Sequence, residues 1–264
     1  LSDIYIYRNT LRDLVRPKKL VAVAILIALP TLLALLLIMV QHVKHFHDLA
    51  LQDLYYKIST FLVYNFVLVI LSVIFGTGVI TQEVEQKTIV YLLTRPVPRW
   101  RILLMKYAAT VTLTTLTVWL ASVSLALATV GIKGLGECGL PRDMGILLVG
   151  ALAYGALFLM VATLVDRPLL LGLLYAFGWE SWVPSLPGNF KYLSLMAYLR
   201  VLAPHGAADN SSAAPANPFA SALSSEAISS HVATLALTLA ILGALAAALA
   251  IFSVREYVPR EEAA

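Results

Sequence analysis

Apolar runs close to the length that a bilayer core demands recur along this chain, and they restrict its fold more than any other feature. Leu20 to Val40 contains no ionisable residue and matches the roughly 20 residues an α-helix needs to cross about 30 Å of hydrocarbon. Comparable runs cover Ile58–Ile80, Ile102–Val130, Met144–Val165 and Val232–Val254, and a shorter one starts at Leu169. Of the 264 residues, 60% are hydrophobic and 13% charged, whereas an ordinary soluble domain is about 45–50% apolar. In hydrocarbon the backbone polar groups must be satisfied within each segment, so the runs are expected to be helices. The fold class is therefore an all-α integral membrane protein, one transmembrane domain over 1–264.

The layout reads as six spans: 20–40, 58–80, 102–130, 144–165, 168–182 and 232–254. Pro30 is tolerated in the first as a kink. That run is long for a signal h-region, and no small-residue cleavage site follows in QHVKHFHD, so it reads as retained. Residues 1–19 mix Ile4, Tyr5, Leu11, Leu14 and Val15 with Arg8, Arg12, Arg16, Lys18 and Lys19, which suggests a helix lying in the membrane interface. Gly131 to Asp143 is expected as a short turn, and Asp166, Arg167 and Pro168 as a tight return. The fifth run, 168–182, is too short for a straight span and needs irregular backbone to complete it. Residues 205–230, rich in Ala, Ser, Asn and Pro, read as a loop outside the membrane.

Net charge is +4, and the basic residues gather beside the spans rather than forming a nucleic-acid surface; no nucleic acid is expected as a partner. On the six-span layout, thirteen Lys and Arg fall on the side of the termini and six on the other. The positive-inside bias makes the first side cytoplasmic, with both termini there, in a bacterial or archaeal inner membrane. The single Cys138 cannot form an internal disulfide and reads as a spare thiol. His42, His45 and His47 are closely spaced, but interfacial histidines without fixed geometry are commoner than ligands, and no metal site is expected. The hydroxyls of Thr110, Thr112, Thr114, Thr115 and Thr117 form a seam that either bonds within its helix or lines a pathway.

Between the second and third runs stands TQEVEQKTIVYLLTRPVPRWRILLMK, Thr81 to Lys106. Its seven charges, Glu83, Glu85, Lys87, Arg95, Arg99, Arg101 and Lys106, would together cost on the order of 20 kcal/mol inside a bilayer. The stretch must leave the hydrocarbon. Glu83 precedes Lys87 by one helical turn, and Val84, Thr88, Tyr91 and Leu92 share a neighbouring face, so a short amphipathic helix is expected. Pro96 and Pro98 end it before Trp100 opens the next helix. Read from these residues alone, the stretch is either a solvated loop or a docking element.

The order of acidic residue, Thr, paired leucines, Pro, Arg and Lys in this stretch resembles the cytoplasmic insertion of ABC-2 type permeases, the membrane subunits of ABC exporters. Glu83, Thr88, Leu92, Leu93, Pro96, Arg99 and Lys106 fall where that pattern has them, whereas Lys87 replaces the usual glycine. The resemblance implies that 81–99 is a coupling helix touching a separate ATPase subunit through Glu83, Glu85, Lys87, Thr88, Tyr91, Leu92, Arg95 and Arg99. It also implies an amphipathic helix before the first span and a re-entrant non-cytoplasmic hairpin over 183–204. Glu180, set between Trp179 and Trp182, is a costly carboxylate there. Trp179, Glu180 and Arg200 are the expected gate residues, with Glu180 and Arg200 pairing across the hairpin.

No GxxxxGK[ST], GxSxG or HExxH occurs in the sequence, so the chain is expected to be no enzyme and to hold no cofactor, ATP and Mg being bound by the partner. The expected assembly is two permease copies, a homodimer, with two ATPase subunits, surrounded by membrane lipids and moving a hydrophobic or amphipathic substrate outward. Alternatives are a non-transporting scaffold or sensor for a soluble regulator, or a permease serving copper-enzyme maturation.

Overall fold

The computed structural model describes residues 2–15, 17–44, 51–85, 98–136, 138–183, 192–203 and 229–254. All regular structure among them is helical. Helix α1 (Ser2–Leu14) is followed by α2 (Pro17–Lys44), which runs through Pro30 without a break. The second span starts earlier than its hydropathy suggests. Leu51–Ile58 (α3) continues directly into a π-wound segment, Ser59–Leu68, and then into α4 (Val69–Glu85). Asp53 and Lys57 thus belong to the helix rather than to a preceding loop.

Pro98 is extended and stands just before α5 (Arg99–Thr129), as a residue that cannot continue a helix but can open one should. Helix α6 (Leu140–Leu164) also begins earlier than expected, because Gly139 takes the left-handed conformation at φ 68° and Pro141 sits in the first turn. Asp143, expected in the turn, is therefore inside the helix and fully buried. After the return at Asp166 and Arg167, α7 (Pro168–Leu174) leads into a second π-wound segment, Tyr175–Trp179, and one further turn, Glu180–Trp182. Helix α8 (Leu195–Leu202) and the long α9 (Ser230–Val254) complete the described chain.

Among the described residues, five helices are long and apolar enough to cross a membrane: those over 20–40, 51–81, 99–129, 140–164 and 230–254. The apolar helix Pro168–Trp179 is shorter. Helix α6 is the hub. It packs on α4, α5 and α9, and Leu147, Ala151, Tyr154, Phe158 and Leu159 are buried along it. Helices α2 and α9 lie at the rim, presenting Ile25, Leu32, Leu36 and Met39, and Leu235, Leu239 and Leu242, on their outer faces. In a lipid solvent such faces are satisfied without protein partners.

Helix α1 rests on α5. Ile6, Thr10 and Leu14, one turn apart, are buried, whereas Tyr5, Arg8 and Arg12 are exposed. The Tyr7 hydroxyl donates to Thr112 Oγ1 at 3.1 Å. Along the threonine seam, Thr110, Thr112, Thr114 and Thr117 donate to carbonyls within α5, the local alternative of the two expected, whereas Thr115 Oγ1 is buried with no hydrogen-bond partner among the described residues.

Candidate functional site

Among the described residues, three side chains of the Asp, Glu, Lys and Arg type are buried inside the bundle, where a charge is costly and usually marks function. Glu180 was expected from its position between tryptophans; Asp143 and the burial of Lys106 were not.

Glu180 is 4% exposed. Its Oε1 accepts from the Tyr154 hydroxyl of α6 at 2.6 Å and from Ser194 Oγ at 2.8 Å, and it also takes the backbone N–H of Met196. Ser194 is the residue before α8, and its hydroxyl also accepts from Ala197 N at 3.2 Å, the local habit of serine at a helix start. One carboxylate oxygen thus joins the fourth span, the end of the fifth apolar run and the start of α8. The other, Oε2, is buried with no hydrogen-bond partner among the described residues. Tyr175, one turn earlier, is an electrostatic neighbour of the same carboxylate.

Arg200 does not pair with Glu180. Its Nη2 donates to Asn65 Oδ1 of the second span at 3.0 Å. The neutral donors of Tyr154, Ser194 and Met196 already crowd the carboxylate, and the guanidinium stays at the exposed side of α8. Trp179 is 44% exposed and donates from Nε1 to the Leu193 carbonyl at 3.3 Å, so it braces the chain leading into α8.

Asp143 accepts at Oδ2 from the Tyr55 hydroxyl and at Oδ1 from the Tyr64 hydroxyl, both at 2.8 Å. Tyr55 and Tyr64 are about two and a half ideal α-turns apart, which would set them on opposite sides of the helix. The π winding between them, with its wider i→i+5 turn, brings both hydroxyls to one carboxylate. Asn65 bridges in turn, donating to the Thr60 carbonyl at 3.1 Å while accepting from Arg200. The two π segments touch edge to face through Phe66 and Phe177, with centroids 6.1 Å apart. Nearby, a Cβ on Gly150 of α6 would lie 2.7 Å from Leu68 Cδ2 and 3.2 Å from Leu199 Cδ1. A larger residue there would have to displace the tips of both leucines, where the second span and α8 converge on α6.

At the other end of the bundle, Lys106 is 1% exposed and donates from Nζ to the Val79 carbonyl at 3.3 Å. Arg99 donates to the Ser253 carbonyl of α9 at 3.1 Å. Both contacts stand at the root of the charged insertion, tying α5 to α4 and to α9. Of the expected coupling-helix residues, Lys87, Thr88, Tyr91, Leu92 and Arg95 lie outside the described residues. Glu83 and Glu85 end α4, and their side chains are outside the described part. The same holds for His42, whose backbone lies in the last turn of α2, and His45 and His47 lie outside the described residues altogether. Cys138 is buried and free, with Sγ 3.4 Å from the Leu135 carbonyl.

A helical bundle with lipid-compatible outer faces, buried carboxylates clasped by hydroxyls and a charged insertion at one end defines an all-helical, multi-pass membrane protein. The family can be stated as well: the ABC-2 family transporter protein model matches residues 4–257, nearly the whole chain, and the chain belongs to that family. Compared with curated proteins, it matches none. Membership makes it a permease of the ABC transporter class, whose members work with an ABC ATPase subunit.

Proposed function

We propose that this chain is a half-transporter: two copies form the translocation path, and two separate ATPase subunits dock on the insertion 81–99 to drive a hydrophobic or amphipathic substrate outward. The observation that carries this reading is the root of the insertion. Lys106 on the Val79 carbonyl and Arg99 on the Ser253 carbonyl bind three helices together where the insertion leaves the bundle. A push on the insertion then moves α4, α5 and α9 as a unit rather than bending a loose loop. The excess of Lys and Arg on that side supports a cytoplasmic insertion and termini. The chain itself has no phosphate-loop sequence, so hydrolysis belongs to the partner, with ATP and Mg bound there.

In this reading 81–99 is the coupling helix, 168–182 the fifth span, completed by irregular backbone, and 183–204 a re-entrant gate whose closed state Glu180 holds. ATP-driven closure of the ATPases tilts the spans and opens the gate. The test is reconstitution in vesicles with the phosphate-loop ATPase encoded beside it. Copurification and permease-dependent ATP hydrolysis, lost on Glu83→Ala with Arg99→Ala, are expected. A permease that copurifies with no ATPase, and behaves alike with and without those substitutions, overturns the reading and leaves a membrane scaffold.

A further inference from the structure

The π-wound stretch of the second span has no role in the reading above, yet three consecutive residues of it fasten three other parts of the bundle. Tyr64 is held by Asp143 of α6, Asn65 by Arg200 of α8, and Phe66 by Phe177 of the second π segment. Two of these contacts exist only because of the winding. In α geometry Tyr64 turns away from Tyr55 and from the carboxylate they share. Asn65 also ties Arg200 to the Thr60 carbonyl, five residues back, which is the spacing of the π turn itself.

Below this stretch α4 runs unbroken for 17 residues to Glu85, a rod about 25 Å long that ends at the insertion. Regular α-helix transmits a rotation or an axial push without changing its hydrogen bonds. A π segment can instead trade i→i+5 bonds for i→i+4 bonds, which tightens and lengthens it with no net loss of backbone bonding. The first place along the second span where force from the insertion can be taken up as a change of winding is therefore Ser59–Leu68.

We propose that this π segment is a conformational relay between the insertion and α8: rewinding it towards α geometry carries Tyr64 off Asp143 and Asn65 off Arg200, and so frees α8 from the second span. The relay rests on the transporter reading, because it needs a force at the insertion. Glu180 then remains as the second fastening of α8, to α6.

The test uses the full chain with Cys138→Ser, Asn65→Cys and Arg200→Cys, bridged by a short bifunctional methanethiosulfonate, in nanodiscs with and without the neighbouring ATPase. In the nucleotide-free complex bridging should be fast, and trapping with ATP and vanadate should slow it on the order of tenfold. Bridged protein should lose transport and regain it with reductant. A second arm needs no ATPase. In the isolated permease, Tyr64→Phe should slow bridging and speed amide exchange over 59–68, whereas Tyr107→Phe, which removes a hydroxyl bonded to the Leu152 carbonyl outside the relay, should do neither.

The relay is overturned by equal bridging rates with and without nucleotide in a complex that hydrolyses ATP, or by bridged protein that transports at the unbridged rate. It is equally overturned if Tyr64→Phe behaves like Tyr107→Phe. If no ATPase associates, the transporter reading fails on its own. The isolated-permease arm then decides separately whether the π winding keeps positions 65 and 200 together.

Discussion

Replacing Glu180 by Ala leaves three buried donors without their acceptor: the Tyr154 hydroxyl, Ser194 Oγ and the Met196 N–H. Each orphaned donor costs about 1–3 kcal/mol, and removal of the unpartnered Oε2 returns about as much as one of them. The expected net loss is about 2–6 kcal/mol. Glu180→Gln retains an acceptor at the Oε1 position and loses only the charge assistance, about 1 kcal/mol per bond, hence about 1–3 kcal/mol in all. For a chain of this size 1 kcal/mol moves the midpoint by about 2–4 °C. Thermal scans in nanodiscs should therefore place Glu180→Ala on the order of 10 °C below the native protein, with Glu180→Gln about midway. Because such transitions are often irreversible, the order of the two variants is the reading rather than the absolute values. Tyr154→Phe added to Glu180→Ala should cost less than Tyr154→Phe alone, since the bond it removes is already gone. The clasp is refuted if Glu180→Ala is neutral, or if Glu180→Gln is at least as harmful as Glu180→Ala.

Gly76→Ala would put a Cβ 2.9 Å from Phe158 Cβ and 3.6 Å from its carbonyl carbon, forcing α4 and α6 apart at a cost of about 1–3 kcal/mol, whereas Gly243→Ala meets nothing within 4 Å and should be neutral or mildly stabilising in the same scan. Asp143→Leu should destabilise more than Asp143→Asn, by about 2 kcal/mol for two orphaned phenols, and Tyr55→Phe with Tyr64→Phe should recover much of that loss in the Leu background but not in the native one. Lys106→Met keeps the apolar stem and removes the donor to the Val79 carbonyl; transport per ATP hydrolysed should fall by several-fold, on the order of one kcal/mol of coupling, with the thermal midpoint nearly unchanged. Equal loss of both activities through lower stability would refute that role.

Local signals were read well where a single segment decides the outcome. Leu20–Val40 and Val232–Val254 lie within the long helices α2 and α9, and Pro98 and Pro168 mark the starts of α5 and α7. Helix ends were read less well. Gly139 followed by Pro141 is the start signal of α6, and it carries Asp143 out of the expected turn and into the core. Glu180 is legible by cost, since a carboxylate among tryptophans needs donors, but which donors it takes is not. Charge complementarity pointed to Arg200, while a backbone N–H and two hydroxyls stood nearer. Nothing in STFLVYNFVL distinguishes a π-wound stretch from an ordinary apolar helix.

The amino-acid order by itself determined that the chain crosses a membrane as helices, roughly where, and that a charged stretch must leave the hydrocarbon between the second and third. These follow from sums of transfer free energy along one segment, which need no partner. Tertiary structure alone decided that Tyr55 and Tyr64 meet on Asp143, that Glu180 fastens α8 to α6, and that Arg200 goes to Asn65. Those outcomes depend on helix winding and on the approach of segments far apart in the chain. Inside the bundle a buried polar group takes whichever donor or acceptor packing brings within reach.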